Sequence, residues 1–150
     1  MTLTINSIAF RYSVHATEDE EKNSTAFKTI LPLEMNKGKV VKEKVSGGYN
    51  NPIIYNDITI TKKEEIEQTL EYFKENISDI DKKNLYLEFE DRFDEDNKTF
   101  HFRIDKGLAY NGIVSINDSP NFIKVTIKLT TFDRDTSFKE FIMANGLILN

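Results

Sequence analysis

Five side chains that can carry positive charge fall at alternate positions of segments that otherwise read as strands: Arg11, His101, Arg103, Lys124 and Lys128. Apolar residues fill the positions between them: Ile8, Phe10, Tyr12 and Val14 in one segment, Phe100, Phe102 and Ile104 in the second, Ile123, Val125, Ile127 and Leu129 in the third. Side chains of a strand alternate between its two faces. If the apolar rows face a core, the five cationic positions project together from the other face of a sheet. Lys42 and Lys44 join them on the condition that Val41 and Val45 point inward. Tyr55 and Phe122 add aromatic surface. A guanidinium grips phosphate with two bonds or stacks on a base, an ammonium supplies charge, and a ring takes a base on its face. That is chemistry for unpaired or irregular RNA. The same residues also serve as ordinary solubilising groups on a half-exposed sheet.

Other chemistries find less support. His15 and His101 lie on the polar faces of their segments, and a metal site there needs adjoining strands and further ligands. No His-x-x-x-His or cysteine set supplies them, so two surface histidines are expected. Asp94-x-Asp96 and Asp133-x-Asp135 resemble fragments of calcium loops but lack the glycine and the distant glutamate; turn and cap roles are expected. No serine sits in a nucleophile elbow, and no glycine-rich phosphate loop is present. The residues offer no catalytic, cofactor or metal set, and the expected function is non-enzymatic.

The 150 residues suit one domain, large enough to bury a core without staples. The absence of cysteine rules out disulfides and thiolate chemistry and fits a cytoplasmic protein. The first residues carry no basic, apolar leader, and no window approaches a membrane span. Asn-x-Ser/Thr sequons at Asn23, Asn76, Asn97 and Asn117 carry little weight without such a leader. The net charge of −5 is uneven. Residues 62–98 hold seven basic and thirteen acidic side chains; residues 1–61 balance, and residues 99–150 carry one net positive charge. A phosphate-bearing partner must therefore approach away from the middle segment.

The elements that must position the cationic row centre on Phe93–Gly112. An acidic turn, Asp94–Asn97, leads into a strand through Arg103, and Asp105 caps a short helical turn closed by Asn111-Gly112. Residues 7–15 form a strand with a bulge or a separate start near Asn6, because Leu3 and Ile5 have the opposite parity. Residues 39–45 read as a polar edge strand, 47–52 as a turn, 53–60 as a strand with Asn56 among its isoleucines, and 122–129 as the strongest strand. Ile113–Ile116 is a candidate short strand, and Asn117–Pro120 a hairpin-type loop.

Capping boxes at Thr17–Glu20 and Thr61–Glu64 predict two helices. The first buries Phe27, Ile30 and Leu31; the second buries Ile66, Leu70, Phe73, Ile77 and Ile80. A further helix carries Leu85, Phe89 and Phe93, and a last one starts near Asp135-Thr136, buries Phe138, Phe141 and Ile142, and ends at Asn145-Gly146. One-sided strands with amphipathic helices give an α+β fold, an antiparallel sheet with helices packed on one face.

Four motifs occur in order: His15-Ala-Thr-Glu-Asp-Glu20, Gly48-Tyr-Asn-Asn-Pro-Ile53, Asp94-Glu-Asp-Asn97 and Arg103-Ile-Asp-Lys-Gly-Leu-Ala-Tyr110. With them the chain resembles, over nearly its full length, an archaeal family of small proteins described as predicted RNA-binding and as a predicted exosome subunit. The resemblance implies a fold similar to that of the large-subunit ribosomal protein that holds 5S RNA. It also adds Tyr49, Asn51 and Lys106 to the RNA-binding candidates. The family turn reads Gly-His-Tyr-Gly-Asn-Pro-Ile; here Gly48 stands for its histidine and Asn50 for its glycine, which alters any contact that loop makes. The rival expectation is a protein-interaction subunit that uses the acidic helix face or the apolar tail Leu147–Leu149 and binds no nucleic acid.

Overall fold

The alternation of apolar and polar residues becomes a sheet with one buried face. The computed structural model describes residues 4–15, 41–46, 52–130 and 137–150. Strands β1 (Thr4–His15), β2 (Val41–Ser46), β3 (Pro52–Ile60), β4 (Phe93–Asp94), β5 (Thr99–Asp105) and β6 (Phe122–Thr130) form an antiparallel sheet in the order β2-β3-β1-β6-β5-β4. Five are full strands; β4 is a two-residue edge. The polar β2 stands at the opposite end of the strand order, as expected of an edge strand among the described residues. The register of β1 on β6 slips between Ile5 and Ser7, which reconciles the two parities of its sequence.

Helices α1 (Lys63–Asn76), α2 (Asp79–Leu87), α3 (Phe89–Arg92), α4 (Lys106–Tyr110) and α5 (Phe138–Ala144) contribute to the core on the apolar face. Phe73 of α1 meets Phe10 at 6.2 Å between ring centroids and Phe102, edge to face, at 5.7 Å. A second aromatic group stacks Phe89 on Phe100 and Phe93, at 5.3 and 5.2 Å, and brings Phe138 to Phe93 at 4.9 Å. Such offset pairs each add about 0.5–1.5 kcal/mol beyond the area they bury.

Several local expectations need correction. Ile66, Leu70, Phe73 and Ile77 are buried, but Ile80 is 73% exposed. The apolar row loses its phase because α1 ends at Ile77, and α2 begins anew with Ser78, whose hydroxyl accepts from the Asp81 amide. Thr61 does not cap α1: the N-cap is Lys62, with no side-chain bond. Phe93, expected on a helix, lies in β4. Ile113–Ile116 forms no strand; Ile116 makes one bridge to Ile104, and Ile113 is exposed. Helix α5, expected to start near Asp135-Thr136, is capped by Ser137 and buries Ile142, while Phe138 and Phe141 are only partly covered. The helix expected after Thr17 and the Asp133-x-Asp135 pair lie outside the described residues.

The apolar tail is not a free contact. Leu147 and Ile148 are fully buried, and the Leu149 amide donates to the Lys82 carbonyl at 3.1 Å. Lys82, itself buried, donates from Nζ to the Lys74 carbonyl at 2.6 Å and so satisfies the end of α1. Gly146 has φ +79° and lies where a Cβ would come within 2.6 Å of the Lys74 side chain. Its missing side chain serves both the turn and the close approach.

Candidate nucleic-acid interface

The register sets the cationic side chains in rows on the face away from the helices. Asp57, Arg11, Lys124 and Arg103 stand opposite one another on β3, β1, β6 and β5. The next row is Thr59, Ala9, Thr126 and His101; the one after it is Ser7, Lys128, Thr99 and Asp94. Arg11, Lys124 and Lys128 are exposed, and His101 and Arg103 are half-buried. All five residues of the expected group therefore share one face. The small side chains of Ser7, Ala9, Thr99 and Thr126 form a low floor among them.

Two of the cations rest on rings. The Arg103 guanidinium lies 4.3 Å from the centroid of Phe122, and that of Arg11 lies 4.3 Å from the centroid of Tyr55. Each ring sits diagonally from its arginine, one strand over and one row back: Tyr55 pairs with Ser13, and Phe122 with Asp105. Arg11 Nη1 also meets Asp57 Oδ2 at 3.5 Å. None of the ion pairs among the described residues involves Arg103, Lys124 or Lys128. Asp57 was missing from the sequence-based group, although it shares the parity of Tyr55 in the same strand.

The electrostatics of the row register on His101. Partial burial pushes its pKa below the usual histidine value, and Lys124, Arg92 and Arg103 push it further down against an opposing pull from Asp94. Asp94 is held ionised at the sheet edge. Its carboxylate accepts from the Asn97 side chain at 2.7 Å and from the Asn97 and Asp96 amides, which lowers its pKa. This is the turn role expected of the Asp94–Asn97 stretch.

Other expected site residues fall elsewhere. Lys106 is buried, and its Nζ donates to the Ser13 carbonyl at 2.6 Å, so it ties α4 to the end of β1 and is withdrawn from the surface. Asp105 caps α4 through the Leu108 amide at 2.9 Å, as expected. Lys42 pairs with Asn56 and Lys44 with Ile54, positions in the parity of the buried row; Val41, Glu43 and Val45 take the parity of Arg11. The register therefore sets neither lysine in the row of Arg11. Tyr49 and Asn51 lie outside the described residues. His15 and His101 do not come from adjoining strands, because β6 runs between β1 and β5.

Residues 7–129 match the model of a protein family described as RNA binding. The RNA-binding protein PAB1135 of Pyrococcus abyssi is 35% identical over 132 residues, which covers 87% of this chain and 85% of that protein. Among solved structures, protein AF2318 of Archaeoglobus fulgidus, assigned to the DUF54 family, superposes with a TM-score of 0.82 at 31% identity, over 95% of this chain and 99% of that one. The DUF54 protein Mth689 of Methanothermobacter thermautotrophicus gives 0.72 at 26% identity, over 94% of each. No helix among the described residues is long and apolar enough to cross a membrane. A matched stretch that takes in β2 to β5 whole and most of β1 and β6, together with relatives aligned over most of their length, decides the assignment: the chain belongs to the RNA-binding, or DUF54, family.

Proposed function

We propose that the chain is a single-domain RNA-binding module, without catalytic activity of its own, that receives RNA on the open face of its sheet. The observation that carries this reading is the cross-strand row Arg11–Lys124–Arg103, three cations on adjacent strands above a floor of small side chains. Lysine and arginine at neighbouring strand positions suit the phosphates of one strand, and the sheet offers no helix to the major groove of duplex DNA. The family resemblance adds an accessory role in RNA processing, in exosome-related assemblies. Affinity is modest, because few phosphates are met and the chain is net negative.

The test is a titration of labelled single-stranded RNA at low salt, with the wild type beside an Arg103→Ala, Lys124→Ala, Lys128→Ala triple variant. Weaker binding by the variant supports the face. Equal binding by the two proteins moves the site elsewhere, and no binding by either returns the acidic helix face as the candidate contact.

A further inference from the structure

The polar groups that the fold has already engaged decide where a ligand can lie on this face. Arg11 shares its charge with Asp57, 3.5 Å away, and rests on Tyr55. Arg92, next to β4, is held by Glu88 at 2.9 Å and Asp118 at 3.7 Å. The neighbouring side chains of β5 and β6 differ. Among the described residues, Lys124 and Lys128 make no side-chain hydrogen bond or ion pair, and Arg103 meets only the Phe122 ring. The hydroxyls of Thr99 and Thr126 and the ring nitrogens of His101 have no hydrogen-bond partner there either. We infer, resting on the RNA reading of this face, that one RNA strand runs along the β5–β6 pair, with phosphates on Arg103 and Lys124 at one end and on Lys128 at the other, and that Thr126 and His101 between them read the ribose 2′-hydroxyl.

Carboxylates set the direction. In the row of Arg103 and Lys124 the next positions are Arg11 and then Asp57; in the row of Lys128 and Thr99 the next is Asp94. Asp94 stays ionised, because the Asn97 side chain and the Asn97 and Asp96 amides donate to it. A strand that crosses the sheet brings phosphate toward one of these carboxylates. A strand along β5–β6 passes between them.

Spacing sets what lies between the phosphates. Lys124 and Lys128 are four residues apart on one strand, about 13 Å. A helical strand covers that span in about four nucleotides, and an extended one in fewer. Ribose therefore lies between the two cationic ends, over the cross-strand pair of Thr126 and His101. A threonine hydroxyl both donates and accepts. Partial burial and the neighbouring cations hold His101 below the ordinary histidine range, so near neutral pH one ring nitrogen donates and the other accepts. Those are partners for a 2′-hydroxyl, the group that separates RNA from DNA.

The experiment titrates a short fluorescent oligouridylate and its 2′-deoxy counterpart, equal in length and base, over a range of salt. The proteins are wild type, Thr126→Val, Thr126→Val/His101→Phe, Lys128→Ala and Arg11→Gln/Asp57→Asn. Wild type should prefer the ribose strand by roughly threefold to tenfold. Thr126→Val/His101→Phe should bring the ribose strand down to the affinity of the deoxy strand and leave the deoxy strand unchanged, with Thr126→Val a partial step the same way. Lys128→Ala should flatten the salt slope on both strands by about 0.7. Arg11→Gln/Asp57→Asn, which removes that ion pair at constant net charge, should keep the wild-type slope. Equal affinity of wild type for the two strands, or an equal loss on both in Thr126→Val/His101→Phe, refutes the ribose contact. A flattened slope in Arg11→Gln/Asp57→Asn beside an unaltered one in Lys128→Ala turns the strand across the sheet and refutes the track. If wild type binds neither strand, the RNA reading of the face falls and the track with it.

Discussion

At the scale of single residues, His101 reports on the face most directly. Burial and the neighbouring cations lower its pKa in the folded chain. The unfolded chain takes up that proton at higher pH, so stability falls as pH drops through the ordinary histidine range and levels off below the folded pKa. Urea melts of wild type and His101→Gln between about pH 7 and pH 5 should show this slope in the first and a reduced one in the second. Phosphate brought near His101 raises its pKa, so RNA binding should take up a proton and tighten as pH falls; an NMR titration of the ring with and without RNA reads this, and an unmoved pKa speaks against RNA over that row. Lys106 makes the contrasting case. Lys106→Met removes the donor to the part-buried Ser13 carbonyl and should cost about 1–3 kcal/mol in urea unfolding, with the RNA affinity of the folded protein unchanged. The sequence showed which residues alternate, and the register sets Arg11, His101, Arg103, Lys124 and Lys128 on one face as that alternation implies. It could not show that Lys106, next after a helix cap, turns inward, because that depends on a carbonyl ninety-three residues away in the chain.

At the scale of elements, periodicity was a good guide until a helix ended. Ile66, Leu70 and Phe73 hold one face of α1, Ile77 is buried at its C-cap, and Ile80 continues the numerical pattern across a break. Leu70→Ala should cost about 2–5 kcal/mol, and Ile80→Ala should stay within about 0.5 kcal/mol, both by denaturant melts. The caps follow the same logic. Ser78 carries the bond to the Asp81 amide, so Ser78→Ala should cost about 0.5–2 kcal/mol. Thr61→Ala should change little, since no side-chain bond caps α1. The capping-box pattern failed at Thr61 because the box names residue types, and the backbone chose Lys62 as the boundary. The parity of β2 was equally hidden: alternation in Lys39–Val45 is poor, and only the register with β3 sets Lys42 opposite Asn56 and Lys44 opposite Ile54.

At the scale of the whole molecule, the described residues carry different charge on the helix side and on the sheet face. The acidic segment supplies α1, α2 and α3, with Glu64, Glu67, Glu71 and Glu75 exposed on the helix side. Among the described residues, the sheet face away from the helices carries Arg11, Lys124, Arg103 and Lys128, with Asp57 and Asp94 in the same rows. A net charge of −5 is thus compatible with a local cationic face, and the separation orients an anionic partner toward the sheet. The central claim is that phosphates are neutralised on this face, and counterion release makes that countable. The measurement is the slope of log affinity against log salt for single-stranded RNA, taken for wild type and for Lys124→Ala/Lys128→Ala. Each lost phosphate contact flattens the slope by about 0.7 for a single strand, so the double variant should be shallower by roughly 1.4 if each lysine meets one phosphate. Identical slopes for the two proteins would contradict the account.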